Sequence, residues 1–185
     1  MSKIGRKPID IGNATVTIEG QEIKYKGIRH AGSHLISPLL TGTVEGKQLK
    51  IVPSELGLRR QYRNDINREW GLHRALLANA IKGAQVDFEK NVHITGLGFK
   101  ATLSGSKVVF SLGYTHKIDY VLPKGVTLEV DKTGQRLVFR SYDKALLGQV
   151  CAQVKSFRPT EPYKGTGIKL AEEVIIRKAG KTKSA

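Results

Sequence analysis

Residues 15–27 read Thr-Val-Thr-Ile-Glu-Gly-Gln-Glu-Ile-Lys-Tyr-Lys-Gly, and residues 100–113 read Lys-Ala-Thr-Leu-Ser-Gly-Ser-Lys-Val-Val-Phe-Ser-Leu-Gly. In the first stretch Val16 and Ile18 alternate with polar residues, Glu19-Gly20-Gln21 turns the chain, and Ile23 and Tyr25 resume the alternation. A period of two on both sides of a glycine turn predicts a β-hairpin with one buried face. Laid over the second stretch, Ile18 and Gly20 fall on Leu103 and Gly105, an offset of 85. Further out, Thr43–Val44 and Leu49–Val52 flank Glu45-Gly46-Lys47, a second predicted hairpin that Pro53 ends. Its Leu49 and Ile51 fall on Leu137 and Phe139, an offset of 88, beyond Val126–Val130 and the Lys132-Thr133-Gly134 turn.

A helical pattern follows each set. From about Asn67 to Lys82, Leu72, Ala75, Leu76, Leu77, Ala80 and Ile81 make a broad apolar face, and Lys82-Gly83 reads as the helix end. The second helix starts near Asp143, with Leu146, Leu147, Val150, Cys151 and Val154 as its stripe. Strands, hairpin and helix, repeated, predict an α+β fold of two tandem duplicated domains, each an antiparallel sheet with one packed helix. The expected boundaries are 1–83, 84–157 and a basic extended tail, 158–185, with one edge strand near Val174–Ile176. Residues 35–40 surround Pro38 and read as loop or edge strand. Residues 54–66, with Arg59, Arg60 and Arg63, belong to the first copy only.

Composition narrows the function. The 185 residues (20.4 kDa) carry 31 Lys and Arg against 16 Asp and Glu, a net charge of +15 with a pI near 10.0. Such an excess repels itself in a compact state and suits a polyanion, whose counterions Lys and Arg displace. The basic residues are scattered rather than clustered, which favours nucleic acid over an anionic membrane. No apolar run approaches the roughly 20 residues of a membrane span. The opening Met1-Ser2-Lys3-Ile4-Gly5-Arg6-Lys7-Pro8 has no apolar stretch behind its charge and does not read as a secretory signal. One cysteine excludes an internal disulfide and a cysteine-rich zinc module, and a lone thiol fits a reducing compartment.

Catalytic patterns are missing. His30 and His34 have metal-like spacing, but Ala31-Gly32-Ser33 between them reads as loop and no third ligand is near. The carboxylates are dispersed; Glu172-Glu173, the adjacent pair, would point to opposite faces of a strand. Gly180-Lys181-Thr182 resembles a phosphate loop but has Ile175 where the first glycine belongs. Gly96-Leu97-Gly98 lacks the third glycine of a dinucleotide site and reads as a tight approach between backbones. Cys151 reads as core, and Trp70 as packing at the start of the first helix, with base stacking as the other reading. No catalytic residue, metal site, cofactor or small-molecule substrate is expected.

The segment 155–169 reads Lys-Ser-Phe-Arg-Pro-Thr-Glu-Pro-Tyr-Lys-Gly-Thr-Gly-Ile-Lys. Prolines that stiffen, glycines that permit close approach, cations and a flat Tyr163 suit an irregular polyanion; a solvated surface loop is the alternative. Within it, Glu161-Pro162-Tyr163-Lys164-Gly165-Thr166-Gly167-Ile168 resembles the signature of the sixth large-subunit ribosomal protein family in its bacterial form. The resemblance extends over nearly the whole chain. It includes Ser2–Ile9, Trp70–Asn79, Gly96–Ala101, Leu112–His116, Asp143-Lys144 with Gly148-Gln149, and Arg177–Lys181. Thr166 stands where the family usually has Lys, Thr160 where it has Pro or Ser, and residues 28–34 depart from the family's Pro- and Gly-containing loop.

The resemblance implies the same duplicated α+β fold and a structural, non-enzymatic role in the large ribosomal subunit. It implies binding of large-subunit ribosomal RNA through the second domain and tail, near the sarcin–ricin loop where translational GTPases dock, beside neighbouring ribosomal proteins. The ribosome would be that of a bacterial cytoplasm or of an organelle of bacterial descent. The expected contacts are Arg158, Tyr163, Lys164, Gly165, Gly167, Lys169, Arg177, Lys178 and Lys181, followed by Lys100, His116 and Lys117 on loops of the second domain. A nucleic-acid enzyme or an architectural DNA-binding protein would also explain the charge. The first lacks an acid–base or metal cluster, and the second would bind duplex DNA as well as folded RNA.

Overall fold

The structure is a computed structural model and describes residues 2–180. The chain forms two compact units, one reaching to Asp87 and including Tyr142–Lys144, the other taking Phe88–Ser141 and the chain from Ala145.

The first unit contains β1 (Ile9–Asp10), β2 (Thr15–Glu19), β3 (Glu22–Lys26), β4 (Ala31–Leu35), β5 (Leu40–Glu45) and β6 (Gln48–Pro53). A 3-10 turn, Arg60–Tyr62, leads into α1 (Arg63–Gln85). Its antiparallel sheets run β2-β3-β4 and β1-β6-β5. The second unit contains β7 (Phe88–Thr95), β8 (Lys100–Ser104), β9 (Lys107–Ser111), β10 (Ile118–Val121), β11 (Val126–Val130) and β12 (Arg136–Ser141), followed by α2 (Lys144–Phe157) and β13 (Gly167–Leu170). Its sheets run β10-β9-β8 and β11-β12-β7-β13. The fold is therefore α+β and duplicated, two similar sheet systems each with one packed helix.

The offset of 85 carries into the register. Ile18 pairs with Ile23, and Leu103 with Val108; Thr15 pairs with Lys26, and Lys100 with Ser111. Gly20 and Gly105 both have φ +62, the left-handed geometry these hairpin turns need. In the second hairpin Val44 pairs with Leu49, and Val130 with Leu137. The first strand is thus offset by 86 and the second by 88, because the turn in the second copy is two residues longer. The second copy also gains a strand, since β13 adds to the free side of β7.

Each unit has its own apolar core. Ile23, Leu40, Leu49, Leu77 and Ile81 fill the first. Val92, Phe110, Leu137, Phe139, Leu147, Val150, Cys151, Val154 and Ile168 fill the second, so the stripe read on α2 is its buried face. Burial contributes about 1.5–3 kcal/mol for each large aliphatic or aromatic side chain.

Several expectations change. The apolar face of α1 is rotated: Ile66, Trp70, Leu77, Ile81 and Ala84 are buried, whereas Leu72 and Leu76 are exposed. The helix does not stop at Gly83, because its last turn is satisfied from elsewhere: the Ala84 carbonyl accepts the N–H groups of Arg29 (2.9 Å) and His30 (3.3 Å). Ala31-Gly32-Ser33 is not loop but part of β4, paired with β3. Phe88–Thr95, which had no assignment, is an inner strand of its sheet. The strand expected at Val174–Ile176 lies instead at Gly167–Leu170, so the beginning of the tail is part of the folded unit. Trp70 lies inside α1 rather than at its start, and its Nε1–H donates to the Ile51 carbonyl at 2.7 Å.

Candidate nucleic-acid interface

The candidate residues late in the chain are positioned around β13. Gly167 to Leu170 pair with Thr95 to Val92, and Ile168 enters the core completely, with 0% of its surface exposed. Successive strand residues face opposite ways, so Lys169, between buried Ile168 and half-buried Leu170, stands on the outer face opposite His93.

The chain between α2 and β13 is held by its own backbone. Ile168 N–H donates to the Arg158 carbonyl (2.8 Å), Glu161 N–H to that of Thr166 (2.9 Å), and Gly165 N–H to that of Glu161 (3.0 Å). These bonds close a loop over 161–166 with Tyr163 and Lys164 exposed at its tip. Gly167 has φ +135, and a Cβ there would sit 2.7 Å from the Pro159 carbonyl oxygen and 2.8 Å from the Thr160 Cα. Gly165 has φ +71 and lies under the Arg177 guanidinium, which a Cβ would meet at 3.2 Å. Both glycines are buried and turned toward the chain's own atoms. The Thr166 hydroxyl is engaged as well, donating to Glu161 Oε2 at 3.2 Å.

Two ties hold the chain beyond β13. Lys178 N–H donates to the Pro162 carbonyl at 2.9 Å, bringing Arg177 and Lys178 beside the loop. Lys155 of α2 pairs with Glu173 at 2.6 Å. The hydrogen bond from Lys155 holds the Glu173 carboxyl below the usual carboxylate range.

An aromatic cradle was not legible in the sequence. The Arg158 guanidinium lies over the rings of Tyr114 (4.8 Å) and Phe99 (5.8 Å). His116 stacks on Tyr114, with centroids 5.9 Å apart and planes at 16°. Phe99 is nested between two glycines; a Cβ at Gly96 or Gly113 would meet its ring at 2.4 or 2.6 Å. The close approach expected at Gly96-Leu97-Gly98 is thus made by a ring, not by another backbone, and Leu97 at the tip is 101% exposed. The signal was the pairing of Gly-Phe99 and Gly-Tyr114 with a cation far along the chain, which no local spacing reveals.

Arg158, Tyr163, Lys164, Gly165, Gly167, Lys169, Arg177 and Lys178 thus come together along one loop and strand. His116 joins them through Tyr114. Lys100 opens β8 next to Phe99, on a strand rather than a loop, and Lys117 directly precedes β10; both are exposed. Lys181 lies outside the described residues. Among the described residues no ion pair holds Arg158, Lys164, Lys169, Arg177, Lys178, Lys100 or Lys117; the acids pair with other cations, as Glu89 and Glu129 do with Arg140. Also among the described residues, no group of three or more His, Cys, Asp or Glu side chains comes together. Among the described residues no helix is long and apolar enough to cross a membrane.

The fold and this cation set define a strongly basic protein of two duplicated α+β units. A model of the ribosomal protein L6 family matches residues 95–170. The chain is 38% identical to the large ribosomal subunit protein uL6 of Bartonella quintana over 99% of this chain and 100% of that one. It is 39% identical to uL6 of Desulfatibacillum aliphaticivorans, over 98% and 99%. It is 38% identical to uL6 of Anaeromyxobacter dehalogenans, over the full length of both. The chain belongs to the bacterial-type uL6 family of large ribosomal subunit proteins. Members of that family are structural and non-catalytic, and this chain is not an enzyme.

Proposed function

We propose that the chain binds large-subunit ribosomal RNA through its second unit and the segment 158–180, as a structural part of the subunit in the bacterial cytoplasm. The observation that carries this reading is the row of unpaired cations from Arg158 to Lys178 on a backbone that its own hydrogen bonds hold in place. Prepaid order lowers the entropy lost on binding. Arg158, on its aromatic cradle, and Lys164, Lys169, Arg177 and Lys178 contact phosphates, while Tyr163 packs on a sugar or base. Gly165 and Gly167 act by shape, allowing the loop to fold. Lys100, His116 and Lys117 extend the surface, and Lys181 is a further expected phosphate contact.

Folded RNA is read by shape and backbone contacts more than by groove sequence. The family resemblance supports a location near the sarcin–ricin loop, where translational GTPases dock, beside neighbouring ribosomal proteins. A ribosome of an organelle of bacterial descent would use the same surface. The test is binding to a large-subunit RNA fragment carrying the factor-docking region, measured against salt. Lys164→Ala lowers the slope of log K against log salt by about one phosphate's worth if it contacts the backbone. An unchanged slope removes Lys164 from the interface, and equal affinity for random duplex DNA overturns the reading.

A further inference from the structure

The two copies also differ before their helices. Between β12 and α2 the second copy has two residues, Tyr142 and Asp143, whereas the first has residues 54–62 between β6 and α1. This extra segment roofs a cavity of about 300 Å³ beside the start of α1. Leu58, Ile66 and Trp70 supply apolar walls, Arg59 and Arg60 the rim, and Asn67 a polar position. Arg59 and Arg60 are exposed and in no ion pair among the described residues. The Asn67 Oδ1 is buried with no hydrogen-bond partner in the structure. Trp70 is fixed by its bond to Ile51 and by Gly5, whose Cβ, if it had one, would sit 2.5 Å from the indole. Its N–H is therefore committed, and the indole offers the cavity apolar surface alone.

The volume lies at the lower end of the range of about 300–1,000 Å³ for ligand sites, which suits one planar ring system. Apolar walls, an acceptor lacking a donor and two free guanidinium groups at the mouth call for a planar ligand with an N–H and an anionic group. We propose that this cavity receives one unpaired ribonucleotide of an RNA. The base enters between Leu58, Ile66 and Trp70, a base N–H donates to Asn67, and the phosphate sits on Arg59 and Arg60. Arg forks match phosphate oxygens, and RNA readout favours bases splayed out of a helix. The choice of ribonucleotide rests on the RNA-binding reading above, but the site uses none of the residues of that interface.

Trp70 is the chain's single tryptophan, so its fluorescence reports on this cavity in the full-length protein. The probes are the four nucleoside 5′-monophosphates, the matching nucleosides, inorganic phosphate and a short peptide with a free carboxylate. A saturable change with the monophosphates, and binding about tenfold weaker for the nucleosides, is the expected result. The double variant Arg59→Gln, Arg60→Gln brings the monophosphates down to the nucleoside level, with an unchanged thermal melt showing that the fold persists. Lys164→Ala leaves the Trp70 signal unaltered, so loss of the tail interface and loss of this site are separable. The proposal is overturned by any of four results. These are no saturable change in the folded chain, no effect of the double variant, an equal response to inorganic phosphate, or a stronger response to the peptide.

Discussion

The guanidinium of Arg158 lies 4.8 Å from the ring centroid of Tyr114, and the Tyr114 hydroxyl donates to the carbonyl of Phe157, the residue before Arg158. One side chain therefore sets both the backbone where the helix ends and the direction of the first cation beyond it. The hydroxyl bond is worth about 1 kcal/mol. The cation–π contact adds about 0.5–1 kcal/mol at an exposed site. Tyr114→Leu removes both, and we expect RNA affinity to fall severalfold and Tm to drop by several degrees. Tyr114→Phe keeps the ring and is expected to retain most of the affinity. Equal losses in the two variants would assign the effect to the hydroxyl alone.

Gly167 is the position where the loop has no room. A Cβ there would meet the Pro159 carbonyl oxygen at 2.7 Å, which is backbone and cannot swing aside, at φ +135. Residues forced into sparsely populated backbone regions cost about 1–3 kcal/mol. We expect Gly167→Ala to lower Tm by several degrees, given about 2–4 °C per kcal/mol at this chain length. Gly134→Ala, with its Cβ 2.7 Å from the Ala101 carbonyl oxygen and φ +70, tests strain of the same kind away from the interface. It is expected to lower Tm without the loss of RNA affinity that Gly167→Ala brings. Both effects are read by calorimetry and by RNA binding on the same preparations.

Removal of the tail has to respect β13. Ending the chain at Phe157 deletes Ile168 from the core and leaves one side of β7 unpaired. Burial of such a side chain is worth about 1.5–3 kcal/mol, so that truncation is expected to unfold the unit at a lower temperature. Ending the chain at Glu173 keeps β13 and the Lys155–Glu173 pair while removing Arg177 and Lys178. We expect this shorter deletion to melt close to the intact chain and to bind RNA with a shallower salt dependence. An RNA affinity unchanged in the Glu173 truncation would limit the interface to the folded part of the second unit.

The hairpins were legible because period-two alternation and a left-handed glycine turn are both local. The same holds for α2, whose stripe Leu146, Leu147, Val150, Cys151 and Val154 packs as its spacing indicates. What escaped depends on distant partners. Gly167–Leu170 is short, glycine-led and set among prolines and lysines, and it becomes a strand only because β7 offers an edge more than 70 residues earlier. Gly83 carries a helix-stop signal that the N–H groups of Arg29 and His30 override by reaching the Ala84 carbonyl. In the candidate interface the cations could be read directly. The rings that orient Arg158 could not, since Phe99 and Tyr114 come from separate turns.

His34 and His73 share a hydrogen bond, with Nε2 and Nδ1 3.0 Å apart, between β4 and α1. Burial, reinforced by His73, holds the His34 imidazole below the ordinary value of 6.5. A shared bond requires at least one of the two rings to be neutral, since two imidazolium rings offer only donors. The sign of the linkage follows from the lowered value. As pH falls through 6.5 the unfolded chain takes up the proton before the folded chain does, so stability falls with pH in that window. The contribution is present in full above that range and is lost as pH drops through the folded-state value. We expect Tm to decline between neutral pH and about pH 5, and His34→Gln, which does not titrate, to flatten that part of the profile. A Tm profile with the same slope in His34→Gln would show that the dependence comes from carboxylates instead.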